Sequence, residues 1–90
     1  MKLTELNPKY ATVEGKRTCV IFDCPLCKKH RIVVPFAGNG TKWEKTGEDF
    51  ETTTLSPSIA HTDHYADGMD KTPRTCQSHF YIRNGEIIFV

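Results

Sequence analysis

Cys24-Pro25-Leu26-Cys27 and Cys76-Gln77-Ser78-His79 are the two stretches of this sequence with the clearest chemical meaning. Each stretch carries a pair of metal-ligating side chains at positions i and i+3. Together they offer three thiolates and one imidazole, which is the ligand set of a closed, tetrahedral structural zinc site. The pattern therefore predicts one structural Zn²⁺ held by Cys24, Cys27, Cys76 and His79.

Two other uses of these cysteines deserve comparison with zinc. A Rieske-type iron–sulfur cluster needs two histidines, and only the second stretch matches half of that pattern. A thioredoxin-like redox pair normally begins a helix, whereas residues 28–34 are basic and then β-branched, which favours a strand. Cys19 lies five residues before Cys24, too far along an extended strand to share a metal, and is interpreted as a core residue.

The composition predicts one small domain over residues 1–90 that needs a metal for stability. A chain of 90 residues buries too little surface for a large core, and small domains often add a metal or disulfide. The net charge of +1 gives no strong attraction to nucleic acid or to anionic membranes. No apolar run approaches the roughly 20 residues of a membrane span, and no signal peptide is evident. We therefore expect a soluble cytoplasmic protein.

The pattern around each ligand pair predicts a hairpin, and the fold class is mostly β. Residues 18–23 and 30–36 are rich in β-branched and aromatic side chains and flank the first pair. Residues 79–83 and 86–90 flank Asn84-Gly85, a strong signal for a type I′ turn. This layout predicts a small, antiparallel, zinc-ribbon-like domain with two knuckle-bearing hairpins. An inserted strand pair is expected at 41–45 and 50–55, and a loop at 61–75, while residues 1–17 give no firm prediction.

Further side chains are candidates for a binding surface, although each also has a purely structural interpretation. The basic residues can form an ordinary solvated edge, the tryptophan can pack in the core, and the serines flanking Pro57 can bond within a turn. No Ser-His-Asp order is evident, and four protein ligands leave a metal no open position for a catalytic water. No catalytic residue is therefore predicted. The candidates are Lys28, Lys29, Arg31, Trp43, Ser56, Ser58, His61 and His64.

Several motifs along the chain form a pattern typical of one protein family. They are Leu6-Asn7-Pro8-Lys9, Cys24-Pro25-Leu26-Cys27, Trp43 with Thr46-Gly47-Glu48-Asp49-Phe50, Thr54-Leu55-Ser56-Pro57-Ser58-Ile59, Cys76-Gln77-Ser78-His79 and Asn84-Gly85. In these motifs the chain resembles a family of small phage and prophage proteins that also occurs in bacteria, a domain of unknown function. The resemblance implies zinc binding and hints at a cleft lined by residues 54–59. Some members carry the label "ammonia monooxygenase", which the sequence does not support because it has no membrane span or copper-type histidine cluster.

These observations favour a phage-type, non-enzymatic binding module that engages a host macromolecule, most simply a host protein in the host-cell cytosol. The first alternative is a nucleic-acid-binding zinc ribbon that uses the basic residues and Trp43. The second is an enzyme or redox protein that uses the Cys3His site or the side chains of Ser56, Ser58, His61 and His64. The enzyme hypothesis requires those side chains to converge in one pocket.

Overall fold

The computed structural model describes residues 1–38, 40–66 and 73–90, with the backbone alone for 63–66 and 73–75. These described residues form seven strands and a short 3-10 helix over Leu3–Leu6. No helix among them is long and apolar enough to cross a membrane. The strands are β1 Lys9–Val13, β2 Lys16–Asp23, β3 Arg31–Pro35, β4 Glu44–Thr46, β5 Thr54–Ala66, β6 Pro73–Arg83 and β7 Glu86–Phe89.

The strands form two antiparallel sheets. One sheet has the order β1-β2-β3, and the other has the order β4-β5-β6-β7. Every strand pair in both sheets is antiparallel. The expected mostly β, antiparallel fold class is therefore confirmed, and the inserted strands β4 and β5 belong to the second sheet.

The core lies between the two sheets. Phe22 of β2 meets Phe80 of β6 edge to face, with ring centroids 6.0 Å apart, an arrangement that aromatic pairs favour. Leu3 and Leu6 of the 3-10 helix are also buried in this core. The backbone amide of Leu3 donates a 2.8 Å hydrogen bond to the carbonyl of Gly85, so the N-terminal segment is fastened to the β6–β7 turn.

Two regions differ from the sequence-based expectation. Residues 50–52 form a turn, and the strand expected there begins only at Thr54. The loop expected over 61–75 is wrong, because β5 continues to Ala66 and β6 already begins at Pro73. These strand ends are polar and lack apolar alternation, so their pairing through the backbone leaves no periodic signal in the sequence. Residues 67–72 lie outside the described part of the chain.

Candidate functional site

Three cysteines and one histidine gather between the two sheets. Cys24, Cys27 and His30 lie on the turn that joins β2 to β3, and Cys76 reaches them from β6. Their ligand atoms all lie within 4.8 Å of one another. The turn is closed at both ends by backbone hydrogen bonds, from Lys28 N to Cys24 O at 3.0 Å and from Cys24 N to His30 O at 2.9 Å. This cluster could hold a metal ion, and it ties the turn to the opposite sheet.

The spacing of the ligand atoms suits a tetrahedral ion. Zinc–sulfur bonds of about 2.3 Å give a regular tetrahedron with edges of about 3.8 Å. The Sγ atoms of Cys24 and Cys76 are 3.7 Å apart, and Cys27 Sγ is 3.2 Å from His30 Nδ1. These two separations are close to the edge of such a tetrahedron, so the four residues could hold a small tetrahedral cation.

The thiols of the cluster differ in their readiness to ionise. Burial alone would raise the pKa of Cys24, but backbone amides of Cys27 and Leu26, with help from Cys76 and Ser78, lower that pKa below its ordinary value. Burial, together with the neighbouring Cys27 and Cys24, raises the pKa of Cys76 to about 12. The Cys76 thiol is thus protonated at neutral pH without a cation. Metal binding must displace this proton, so the metal affinity falls as the pH falls.

His30, and not the expected His79, completes the cluster. Successive side chains of a strand point to opposite faces of the sheet. Cys76 and His79 are three residues apart within β6, so they lie on opposite faces, with Cys76 buried and His79 exposed. The second ligand pair therefore lies inside a strand, where an i, i+3 spacing cannot converge on one ion. The predicted Cys3His composition is present, but its histidine comes from the first stretch.

The imidazole of His79 instead faces a serine of the neighbouring strand. Ser58 Oγ of β5 lies 3.0 Å from His79 Nε2. In the β5–β6 register, Ala60 is opposite His79, and Ser58 lies two residues before Ala60, within an irregularity of the register between Leu55 and Ile59. A hydroxyl within hydrogen-bonding distance of an imidazole nitrogen is the pairing that an activated serine nucleophile requires.

An open cleft of about 590 Å³ adjoins this serine–histidine pair. His79 forms part of its wall, so the cleft reaches the imidazole that contacts Ser58. Volumes of this order are typical of sites that bind small molecules or peptide segments. The lining residues are Leu26, Ala60, His61, Thr62, Gln77, Ser78, His79, Phe89 and Val90.

The candidates of the expected basic and aromatic surface are dispersed. Arg31 forms a 3.0 Å ion pair with Asp23 and donates a hydrogen bond to Asn7 O, so it braces β2 and β3. Trp43 is half-buried against the core. Lys28 and Lys29 are exposed on the ligand-bearing turn.

The remaining candidates lie along β5. Ser56 is exposed and pairs with Glu44 of β4, two residues from Ser58. His61 is half-buried, and its ring stacks on His30 with centroids 5.3 Å apart. The side chain of His64 lies outside the described part of the chain. Ser58 is therefore the one member of this group that the structure brings to a histidine in the pairing expected of a nucleophile and its base.

The sequence contains a signal for the missed ligand. His30 follows Cys27 by three residues, just as Cys27 follows Cys24, so the turn carries three ligands at equal spacing. In the sequence, His30 also stands at the start of the strand predicted over residues 30–36, within a basic run. A strand does begin there, but at Arg31, which leaves His30 in the turn and able to face the thiolates.

The fold and the site define a small antiparallel β protein with a Cys3His cluster and a serine–histidine pair. The chain belongs to the BubE family, described as a bacterial ubiquitination-like system serine protease, whose sequence model matches residues 2–90. None of the curated proteins and none of the solved structures matches the chain. The match agrees with the resemblance at the level of a small bacterial protein family, while phage origin and zinc binding stay predictions.

Proposed function

We propose that this protein is a serine peptidase in which Ser58 is the nucleophile and His79 is the general base. The observation that carries the proposal is the 3.0 Å separation of Ser58 Oγ and His79 Nε2. The description of the family as a serine protease supports it independently. Within the described residues, the imidazole of His79 makes its one side-chain hydrogen bond to Ser58, so the pair acts as a dyad.

The dyad supplies the steps of acyl transfer. Ser58 Oγ attacks the carbonyl carbon of the scissile amide while His79 Nε2 accepts the hydroxyl proton. His79 then gives that proton to the departing amine, and the C–N bond breaks to leave an ester on Ser58. A water molecule attacks this ester, His79 accepts a proton from the water, and the proton returns to Ser58 Oγ as the acid product leaves.

The metal in this proposal is a structural Zn²⁺ held by Cys24, Cys27, His30 and Cys76. Three thiolates and an imidazole are a common structural zinc set, and four protein ligands leave no position for a reacting water. Such an ion would act as a structural cross-link within the fold and would take no part in the reaction. Bound there, it would join the β2–β3 turn to β6, the strand that carries His79, and so would help to hold the imidazole opposite Ser58.

The substrate class follows from the family description and the open cleft. We propose peptide or isopeptide bonds of proteins in a bacterial ubiquitination-like system. An open cleft beside the dyad admits an extended segment of a folded protein, which an enclosed cavity would not.

Labelling with a fluorophosphonate tests the dyad without knowledge of the natural substrate. The Oγ of an activated serine displaces fluoride and forms a stable bond to phosphorus. Intact mass spectrometry should show one adduct, which peptide mapping places on Ser58. The Ser58→Ala variant should lose the adduct, and His79→Ala should slow labelling by about 10²–10⁴-fold because the general base is gone.

Ser56→Ala is the matched control, because Ser56 is an exposed serine two residues from the proposed nucleophile. It should label at the rate of the unaltered protein. Equal labelling of all four proteins, or an adduct that maps to another serine, would contradict the assignment of Ser58.

The non-enzymatic binding module stays a second proposal, with a host protein or nucleic acid as its partner. The exposed Lys28 and Lys29 favour the nucleic-acid form. Such binding should weaken steeply with salt, because cations on the nucleic acid are released. Absence of a mobility shift at low salt, with both DNA and RNA, would remove that form. Host-lysate pull-downs that recover nothing above background would remove the other.

A further inference from the structure

Three exposed apolar side chains meet at the cleft beside His79. Leu26 is 56% exposed, Phe89 47% and Val90 72%, and all three line the same cleft as His79. They come from distant parts of the chain, namely the ligand-bearing turn and the end of β7. Exposed apolar side chains that converge on one cleft differ from scattered ones, which need no explanation, because they mark a place where another apolar group binds.

Apart from His61 and His79, the side chains that line the cleft carry no charge, and several are apolar. Its lining includes no Asp, Glu, Lys or Arg among the described residues. Thr62 and Gln77, which also line the cleft, are neutral and suit hydrogen bonds to a peptide backbone. A charged side chain would lose its hydration here without gaining an ionic partner, which is unfavourable.

The cleft also lies next to the reacting pair, although Ser58 itself does not line it. His79 contacts Ser58 through Nε2 and forms part of the cleft wall. A peptide whose scissile carbonyl lies at Ser58 Oγ therefore places a neighbouring side chain in the cleft, because adjacent residues of an extended chain are only about 3.3 Å apart.

We infer that this cleft is the specificity pocket of the peptidase, that it selects an uncharged apolar side chain next to the scissile bond, and that Leu26 is a specificity-determining residue. The inference rests on the proposed function. It gives the ligand-bearing turn a second task, because the segment Cys24-Pro25-Leu26-Cys27 supplies both metal ligands and a wall of the pocket.

Leu26→Ser tests the pocket, and Val33→Ser is its matched control. Val33 is 55% exposed, nearly the same as Leu26, but lies on β3 and does not line the cleft. The substrates are internally quenched peptides that differ only in the residues flanking the scissile bond, which are Leu, Phe, Ser, Asp or Lys. All proteins are the full, zinc-loaded chain, with the zinc content measured for each variant.

The unaltered protein should cleave the Leu and Phe peptides with a kcat/KM about tenfold or more above that of the Asp and Lys peptides. Leu26→Ser should lower kcat/KM for the apolar peptides about tenfold and leave the Ser peptide little changed. Val33→Ser should match the unaltered protein throughout. Equal cleavage of all peptides, unaffected by Leu26→Ser, would overturn the inference and leave the proposed function intact.

A binding measurement separates the two claims when no peptide is cleaved. The same peptides are titrated into the Ser58→Ala variant, and the NMR resonances of Leu26, Phe89 and Val90 are followed. Shifts confined to the apolar peptides, without cleavage by the unaltered protein, would support the pocket and count against the peptidase. No shifts and no cleavage would overturn the inference. Shifts that depend only on protein concentration would also overturn it, because a second copy of the chain would then fill the cleft.

Discussion

Two histidines of this chain lie three residues after a cysteine, and the structure gives them different partners. His30 follows Cys27 in a turn and faces the thiolates, whereas His79 follows Cys76 in a strand and faces Ser58. The same spacing thus brings a histidine to the thiolates in one place and to its proposed acid–base role beside Ser58 in the other. The difference arises because a turn and a strand point the histidine side chain in different directions.

Replacing each of these histidines in turn by alanine should distinguish the Cys3His cluster from the Ser58–His79 pair. His30→Ala removes a proposed metal ligand, and the zinc affinity should fall more than about 100-fold. Loss of a residue that only supports a ligand lowers metal affinity by about 10–100-fold. His79→Ala should keep the zinc affinity within a few fold and slow fluorophosphonate labelling by about 10²–10⁴-fold. Competition with a chromophoric chelator measures the affinities. A larger loss of zinc affinity in His79→Ala than in His30→Ala would restore the ligand set first expected from the sequence.

At the scale of elements, two tight turns of similar backbone conformation differ in their surroundings. Glu14-Gly15 joins β1 to β2 with φ of 53° and 79°, and Asn84-Gly85 joins β6 to β7 with φ of 49° and 76°. Gly15 has open space around it, whereas a Cβ on Gly85 would collide with the carbonyl oxygen of Glu51. The β6–β7 turn is thus packed against the 50–52 turn as well as against the N-terminal segment.

Alanine at these two glycines should therefore have unequal effects. Both substitutions place a side chain at positive φ, which costs about 1–2 kcal/mol. Gly85→Ala should lower the free energy of unfolding by at least about 1 kcal/mol more, since backbone must shift to relieve the collision. Urea unfolding of the zinc-loaded proteins measures the difference. Equal destabilisation by Gly15→Ala and Gly85→Ala would show that the contact with Glu51 O is unimportant.

The elements set by local chemistry were predictable from the sequence, and those set by distant pairing were not. The Asn84-Gly85 hairpin and the β2 and β3 strands followed from turn residues and β-branched runs. The polar ends of β5 and β6 have no such pattern and form only because each strand satisfies the backbone of the other. Leu3 and Leu6 likewise owe their burial to contacts with distant strands.

The candidate site was predictable in its chemistry and only partly in its members. The three cysteines expected to lie together do so in the structure, and their assignment as metal ligands stays a prediction. The histidine could not be assigned without knowing that residues 76–79 lie within β6. The Ser58–His79 pair depends on the β5–β6 register, which no short stretch of either strand specifies.

At the scale of the whole molecule, the metal should decide whether the chain folds. Cys24, Cys27 and His30 belong to the turn of one sheet and Cys76 to the other, so an ion held by these residues would link both halves of the core. Structural zinc contributes about 10–16 kcal/mol of apparent binding free energy, comparable to the entire net stability of a typical domain, about 5–15 kcal/mol. Without the ion, the unfolded state should predominate.

Removal of zinc by a chelator should therefore abolish the β-sheet circular dichroism and the fluorophosphonate labelling together. Added Zn²⁺ should restore both signals, and chelator already saturated with zinc is the control for direct effects of the chelator. If the metal-free protein keeps its β-sheet spectrum and is still labelled at Ser58, the hydrophobic core is stable without the metal.

The alternation of faces along β6 has a consequence for how this protein can change in evolution. Cys76 lies on one face of the strand and His79 on the other, so their separation in sequence, now three residues, must stay odd. An insertion or deletion of a single residue between them would bring His79 to the face of Cys76 and take it from Ser58, whereas a change of two residues would preserve both roles in principle. Relatives that keep both sites should therefore differ in length between the residues equivalent to Cys76 and His79 only by even numbers of residues, which their sequences would show directly.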